Sequence, residues 1–212
     1  MFRPFFHTMH AKQMSQRDKG PWLAGVLARP YAVTMVSAPE PPLSRSEWIV
    51  LSVICEGPTH GNAVSRAVGP DGDLGQIWHV QRGVVYRSLD RLLDLGLIRS
   101  AGQEFSHQGP VRSRVEATDA GQEAARSWQQ QPVQHMRDIR SELLVKLALL
   151  NRSGIDPHDL LTAQRAQLLP IADSLRDRID AETGFDRTLL LWRYETASAT
   201  IRFLDALVPS PP

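Results

Sequence analysis

Apolar residues recur at helical spacing within residues 43–95, in three stretches that glycine and proline separate. Ser44 and Glu47 have the spacing of a capping box, so they predict the start of the first helix. Gly57-Pro58 predicts its end, and Cys55 on its apolar face is expected to be a small core residue.

The second and third stretches are also bounded by start and stop signals. Thr59 is the predicted N-cap of a short second helix that ends at Gly69-Pro70. The third helix is predicted from Arg82 to about Leu95, with Gly96 as a left-handed stop. Its inward residues at helical spacing are Val85, Leu89, Leu92 and Leu93.

Two short strands are predicted after the third helix, at residues 97–100 and 113–117, around a tip rich in Gly, Gln and Ser. Arg99 and Glu116 are expected to form a charge pair across these strands. Three short helices followed by two strands are typical of a winged helix-turn-helix domain.

Helical patterns follow the predicted wing. Thr118 or Asp119 can cap a fourth helix, and Asp156-Pro157 predicts the start of a long helix. Pro170 is expected to kink that helix, because it removes a backbone hydrogen bond. Apolar residues of the last two helices form seams that predict a dimer interface: Leu161, Leu168, Ile171, Leu175, Leu190, Tyr194, Ala197, Ile201 and Leu204.

The predicted fold class is therefore mainly α: an α+β winged helix-turn-helix domain at residues 43–130, followed by a domain of long helices for dimerisation at residues 131–212. Residues 1–42 show no sustained helical or strand period, and we expect a mostly disordered extension. Met35 is an alternative start of the natural protein, because the regular pattern begins only after it.

Composition narrows the function classes. The single cysteine excludes an intramolecular disulfide. No apolar stretch approaches the roughly 20 residues of a membrane span, and no secretory signal is recognisable, so we expect a cytoplasmic protein without a membrane partner. Lys and Arg total 9 against 10 Asp and Glu in residues 43–130, so any nucleic-acid contact must come from a local cluster.

The third helix carries such a cluster at its outward and N-terminal positions. Arginine and glutamine can contact base edges, valine can meet a thymine methyl group, and tyrosine can hold the DNA backbone. The alternative is a solvated helix face on which arginines pair with Asp90 and Asp94. The candidate DNA-binding residues are Gln81, Arg82, Gly83, Val84, Tyr86, Arg87, Ser88 and Arg91 on the helix, and His107, Gln108, Arg112 and Arg114 in the wing.

Three motifs resemble the PadR family of bacterial transcriptional regulators: Gly57-Pro58-Thr59-His60-Gly61, the run GVVYRSLDRL at residues 83–92, and Gly96-Leu97-Ile98. Thr118-Asp119-Ala120-Gly121 resembles the start of that family's fourth helix. The resemblance covers residues 43 to about 126 and implies a dimeric, cytoplasmic DNA-binding repressor, often relieved by a small molecule. Asn62, a further candidate DNA-binding residue, stands where the family commonly has an aromatic residue, so a phosphate contact is expected to differ there.

Other chemistry is not supported by the pattern. His7 and His10 have no third ligand nearby, so no metal site is expected. No nucleophile elbow or phosphate loop is present, so neither enzyme activity nor a cofactor is expected. Aromatic and methionine side chains at a helical interface can line a pocket for a small apolar or aromatic effector, although such residues are more often core: Trp128, Met136, Trp192 and Tyr194.

The sequence thus predicts a sequence-specific transcriptional regulator, a homodimeric repressor on a palindromic operator in double-stranded DNA. The alternative is a winged-helix module for protein interaction and dimerisation without DNA binding, which the near-neutral charge favours. The two differ in whether Asp90, Asp94 and Glu104 neutralise the arginines of the third helix.

Overall fold

The computed structural model describes residues 43–104 and 112–208. The helices are α1 (Arg45–Cys55), α2 (Gly61–Ala67), α3 (Arg82–Asp94), α4 (Asp119–Gln130), α5 (Leu144–Arg152), α6 (His158–Ile179) and α7 (Gly184–Leu207). The strands are β1 (Thr59–His60), β2 (Ile98–Glu104) and β3 (Arg112–Ala117), which form one antiparallel sheet in the order β1-β3-β2. The mainly helical winged helix-turn-helix fold is confirmed.

Helix ends follow local chemistry closely. Ser44 and Glu47 form the capping box of α1: the Glu47 amide donates to Ser44 Oγ, and the Ser44 amide donates to Glu47 Oε2. Thr118, rather than Asp119, caps α4 by accepting from the Gly121 amide at 3.1 Å. Each cap satisfies a backbone amide that has no partner within the helix.

The predicted cap of the second helix is wrong. Thr59 lies in β1, where it pairs with Val115, and His60 is the N-cap of α2. The Ala63 amide donates to His60 Nδ1 at 3.0 Å. The chain therefore adds a third strand to the wing sheet before α2 begins, and this strand was not predicted.

The bounds of α3 agree with the prediction to within a residue. Leu95 is its C-cap, and Gly96 follows with φ 67°, a left-handed conformation that suits glycine. Val85, Leu89 and Leu92 are buried as predicted, but Leu93 is 40% exposed and does not face the core. The wing register places Arg99 opposite Glu116, with Arg99 Nε 2.7 Å from Glu116 Oε1, which confirms the charge pair.

Two apolar cores stabilise the described residues, and α5 contributes to both. Val145 and Leu149 pack into the core formed around α1, α3 and α4, whereas Leu143 and Leu150 pack into a second core with α6 and α7. The C-terminal helices are thus joined to the winged helix by packing as well as by the chain.

The C-terminal helices differ in detail from their sequence pattern. The segment that leads into α5 is not regular α-helix: Met136–Asp138 is a 3-10 turn and Ile139–Leu143 a π-helical turn. α6 begins at His158, whose amide donates to Asp156 Oδ1 at 2.9 Å, and the helix continues through Pro170. Within the described ranges, no helix is long and apolar enough to cross a membrane.

Candidate nucleic-acid interface

The buried face of α3 fixes the direction in which its other face points. Val85, Leu89 and Leu92 pack into the first core. At Gly61 in α2, an added Cβ would lie 3.0 Å from both Leu89 Cδ1 and Tyr86 Cε1. Glycine therefore lets α2 approach α3 closely, and the helix-turn-helix pair is held as one unit.

The outward face of α3 presents the predicted arginines. Gln81, Arg82, Gly83 and Arg87 are exposed, and the Arg82 guanidinium lies 5.6 Å from the centre of the Tyr86 ring. Gln81 is the N-cap residue but makes no capping hydrogen bond with its side chain. The side-chain amide of Gln81 therefore makes no hydrogen bond to the start of α3.

The acidic residues of α3 do not neutralise these arginines. Arg82 and Arg87 form no ion pair with any residue that the structure describes, and the same holds for Asp90 and Asp94. The predicted alternative, in which helix-surface pairs cancel the charge, is not what α3 shows within that part of the chain. The Glu104 side chain lies outside the described residues.

Three of the predicted contacts on α3 are placed differently. Ser88 is only 2% exposed and its hydroxyl donates to the Val84 carbonyl at 2.9 Å, so it faces the core and cannot reach DNA. Val84 is half-buried against the first core. Arg91 Nε lies 3.2 Å from Glu47 Oε1, an ion pair that ties α3 to α1.

The wing supplies fewer described contacts than predicted. Arg114 is half-buried and donates from Nη2 to the Pro58 carbonyl at 3.1 Å, so it braces the wing against the turn after α1. His107 and Gln108 lie outside the described residues, as does the Arg112 side chain. Position 112 itself belongs to β3.

A groove of about 600 Å³ runs between the start of α2, the outward face of α3 and β3. Asn62, Arg82 and Tyr86 line it together. His60 and Ser113 also line it, and sequence reasoning missed both. Only the pairing of β1 with β3 brings His60 beside Ser113, and residues that distant in sequence carry no local signal for this contact.

The four residues predicted to contact an effector do not form one site. Trp128 is buried and stacks on Trp48, with ring centres 5.5 Å apart, and Lys146 Nζ lies 4.8 Å from its ring. It packs in the first core and also lines a cavity of about 320 Å³ with Trp48 and Lys146, so an effector contact at Trp128 stays a prediction. Met136 and Trp192 line a separate groove of about 640 Å³, and half-buried Tyr194 does not line it.

Most of the predicted dimer seam is buried within a single chain. α6 packs on α7, and this contact uses the alternating apolar residues that the pattern assigned to a partner. Ile171 is exposed, whereas Leu175, Tyr194 and Ile201 are half-buried. The seam residues that are already covered are Leu161, Leu168, Leu190, Ala197 and Leu204.

In the part of the chain that the structure describes, no cluster of three or more His, Cys, Asp or Glu side chains could hold a metal ion. His7 and His10 lie outside it. Burial raises the pKa of Cys55 to about 12, so this thiol is a core group at neutral pH rather than a nucleophile.

A tri-helical core, a recognition helix with exposed arginines and a three-stranded wing define a winged helix-turn-helix DNA-binding domain. Residues 50–127 match the family model described as "Transcriptional regulator PadR-like family". The resemblance predicted from the sequence is confirmed for these residues, which form a domain similar to that of PadR-like transcriptional regulators.

Solved structures of similar proteins include PadR of Bacillus subtilis in complex with operator DNA, with 17% identity and a TM-score of 0.41 over 77% of this chain and 97% of that one. The same protein in complex with p-coumaric acid has 17% identity and a TM-score of 0.36 over 79% and 95%. A PadR-like regulator from Bacillus cereus has 19% identity and a TM-score of 0.36 over 80% and 96%. No curated protein sequence matches the chain.

Proposed function

We propose that the protein is a homodimeric repressor that acts in the cytoplasm and binds a palindromic operator through α3. The observation that carries this proposal is the pair of exposed arginines, Arg82 and Arg87, which no described acidic residue neutralises. Arginine can bind guanine edges or phosphates in two-pronged geometry, and exposed guanidinium groups can do so without first breaking an ion pair.

The start of α3 is suited to lead into the major groove. Its first backbone amides have no partners within the helix, and the helix dipole adds positive potential there. Gln81 and Gly83 flank Arg82 at this end and are exposed. We infer that Gln81 and Arg82 meet base edges or phosphates at the helix start, while Arg87 meets the DNA about 1.4 turns further along α3.

Titration of labelled DNA tests this proposal. The DNA would be the intergenic sequence upstream of the protein's own gene, read by fluorescence anisotropy at two salt concentrations with unrelated DNA as competitor. Replacing Arg87 with alanine should cost about 1–3 kcal/mol if it reads a base, or lower the salt slope by about 1 if it binds a phosphate. Arg178→Ala is the matched control, because Arg178 is exposed on α6 and far along the chain from α3.

Two results would count against the proposal. Unchanged binding by both Arg82→Ala and Arg87→Ala would remove α3 as the reading surface. If the wild-type protein binds neither this DNA nor any fragment from a genome-wide selection more tightly than unrelated DNA, the alternative of an interaction module is supported instead.

Dimerisation is supported by apolar surface that the single chain leaves uncovered. Large apolar side chains are exposed on α6 and α7, and such patches mark association surfaces. A two-fold pairing of these helices would place two copies of α3 on successive faces of the DNA, with half-site centres roughly 34–36 Å apart or a multiple of that. The exposed residues are Ile171, Phe185, Leu191, Trp192, Phe203 and Leu207.

Sedimentation velocity tests the dimer directly. Trp192 is 66% exposed, so Trp192→Glu should convert a dimer into a monomer without unfolding the chain. Ala120→Glu adds the same charge at an exposed position of α4, outside the proposed interface on α6 and α7, and should leave the dimer intact. A wild-type protein that sediments as a monomer at micromolar concentration would refute this part of the proposal.

An effector, if one relieves repression, fits best in the groove lined by Met136, Trp192 and Phe203. The groove lies between the turn before α5 and α7. A ligand there would therefore change how the α6 and α7 helices of the two chains pair in the proposed dimer. The dye 8-anilinonaphthalene-1-sulfonate is a suitable aromatic probe. Trp192→Ala should weaken its binding, whereas Leu191→Ala should not, because Leu191 is exposed but does not line the groove. Equal dye binding by both variants would exclude this site.

A further inference from the structure

Arg152, the last residue of α5, joins three separate parts of the chain. Its Nε donates to Glu56 Oε1 at 2.6 Å and its Nη2 donates to Glu56 Oε2 at 2.5 Å, a two-pronged contact with the C-cap residue of α1. Its Nη1 donates to Asp73 Oδ2. One guanidinium therefore connects the end of α5, the end of α1 and the segment between α2 and α3.

A second set of charges connects the start of α1 to the turns that lead directly into α5. Arg45 Nη2 at the start of α1 lies 2.7 Å from Asp138 Oδ1, and Arg45 Nε lies 3.5 Å from Glu142 Oε2. Buried Lys146 in turn lies 3.1 Å from Glu142 Oε1. α1 and α5 consequently lie side by side in the same direction and are tied together at both ends.

Arg152 differs from this second set because it reaches the segment that leads into the recognition helix. Leu74, next to Asp73, is fully buried, and the Val80 amide donates to the Val68 carbonyl at 2.9 Å just before α3 begins. The segment is thus held in the core at Leu74 and closed at its ends by the bond between Val80 and Val68, and Arg152 ties it to α5 at Asp73 between these ends. A shift of Arg152 would therefore be passed on to the start of α3.

Arg152 and Asp73 both stay charged, which favours a permanent contact between them. Hydrogen bonds to Glu56, helped by those to Asp73 and opposed by desolvation, raise the pKa of Arg152. Burial alone would raise the pKa of Asp73, but hydrogen bonds from Arg152 and from the Leu74 amide outweigh it and lower this pKa below its usual value. Both groups therefore stay charged throughout the range in which proteins work.

We propose that Arg152 is a positioning residue for DNA recognition: it fixes α3 relative to the C-terminal helices and so determines which half-site spacing the dimer accepts. The proposal rests on the proposed function, because spacing has meaning only for a dimer on DNA. α5 is the element through which it acts, since α5 packs into both apolar cores. With Arg152 neutralised, apolar packing would remain but the segment before α3 would lose its tie to α5.

The first experiment does not depend on DNA. Spin labels are attached at two exposed positions, Asp90→Cys in α3 and Ala166→Cys in α6. They report the distance between α3 and α6. Cys55 is replaced by alanine in all labelled chains, because its thiol is only half-buried and could otherwise take up the label. Labelled chains are diluted with unlabelled ones so that only distances within one chain are read. Arg152→Gln should broaden or shift the distance distribution.

The matched control is Arg176→Gln, which removes one positive charge and the ion pairs of Arg176 with Asp173 and Asp177 within α6. It should leave the distribution as in the wild type. Arg152→Lys keeps the charge without the planar fork and should fall between wild type and Arg152→Gln. An unchanged distribution in folded Arg152→Gln overturns the proposal, whether or not the protein binds DNA.

The second experiment measures spacing. An operator selected by the wild-type protein is compared with versions that have one base pair inserted or deleted between the half-sites, which turns one half-site by about 35° relative to the other. We expect Arg152→Gln to lower the preference for the selected spacing by about fivefold or more, and Arg176→Gln to keep it. A retained preference in Arg152→Gln overturns the role in recognition. Failure of the wild type to select any DNA instead refutes the proposed function.

Discussion

Gly83, the second residue of α3, offers a test in which stability and DNA binding should change in opposite directions. It is exposed, and an added Cβ would meet no atom within 4 Å. Its φ is not positive, so alanine can adopt the same backbone conformation. Gly83→Ala should therefore be accepted by the fold without strain.

The expected gain in stability follows from helix propensity. Alanine is favoured over glycine by about 0.5–1 kcal/mol in a helix, chiefly because glycine loses more backbone freedom on folding. The first turn is less constrained than the interior, so we expect the lower part of this range. For a chain of this size the melting temperature should rise by roughly 1–4 °C.

The expected loss in DNA binding follows from the position of Gly83, which lies next to Arg82 on the exposed start of α3. If the helix start approaches the bases or phosphates closely, a methyl group there displaces a direct contact, which costs about 1–3 kcal/mol. That corresponds to about 5- to 150-fold weaker binding. Fluorescence anisotropy at fixed salt measures it.

Gly121→Ala is the matched control for the stability half of the experiment. At Gly121 in α4 an added Cβ would lie 2.0 Å from the Leu97 carbonyl oxygen, so backbone must move. We expect a loss of about 1–3 kcal/mol from overpacking, despite the same gain in helix propensity. A Gly83→Ala variant that melts higher and binds its operator as tightly as the wild type would refute the close approach of α3 to DNA.

Three further predictions concern the core and the charge contacts. Cys55, with its pKa raised by burial to about 12, should react with an aromatic disulfide reagent at pH 8 far more slowly than a free thiol, because little thiolate is present at that pH; reaction at the rate of a free thiol would contradict this. Trp128→Leu should lower the free energy of unfolding by about 2 kcal/mol or more, measured by urea titration, because the stack on Trp48 and the contact with Lys146 are lost together. The lowered pKa of Asp73 means that the unfolded chain binds the proton more tightly than the folded chain. The difference in free energy of unfolding between wild type and Asp73→Asn should therefore be largest above the usual pKa of Asp, and it should vanish as the pH falls through the lower pKa of the folded state. A difference that persists at the acid end would contradict this.

Sequence reasoning was most successful where a contact joins residues close in the chain or in a register that a short turn sets. The capping box of Ser44 and Glu47 and the left-handed stop at Gly96 are local, and both are confirmed. Arg99 and Glu116 face each other because the two wing strands pair with each other. Such contacts need no knowledge of the rest of the fold.

The errors arose where distant parts of the chain compete for the same residue. Thr59 has the chemistry of an N-cap, but β3 takes it into the sheet through Val115, and His60 caps the helix instead. Ser88 was assigned to DNA because it is polar, yet its hydroxyl is satisfied by the Val84 carbonyl inside the helix and so tolerates burial.

The apolar seam of α6 and α7 shows the same limit on a larger scale. An alternating pattern states that a helix needs an apolar neighbour, but not whether that neighbour lies in the same chain. Leu168 and Leu204 are covered within the chain, which leaves Trp192 and Phe203 as the surface open to a partner or a ligand.

The sequence by itself determined the class of fold, the bounds of the third helix and the local signals that begin and end that helix, because each depends on short-range chemistry within one element. Only the tertiary structure decided which arginines are unpaired, which side chains line one groove, and that Arg152 ties α5 to the segment before α3. Glu56 and Arg152 are 96 residues apart, and no periodicity relates two side chains that meet only after both apolar cores have formed.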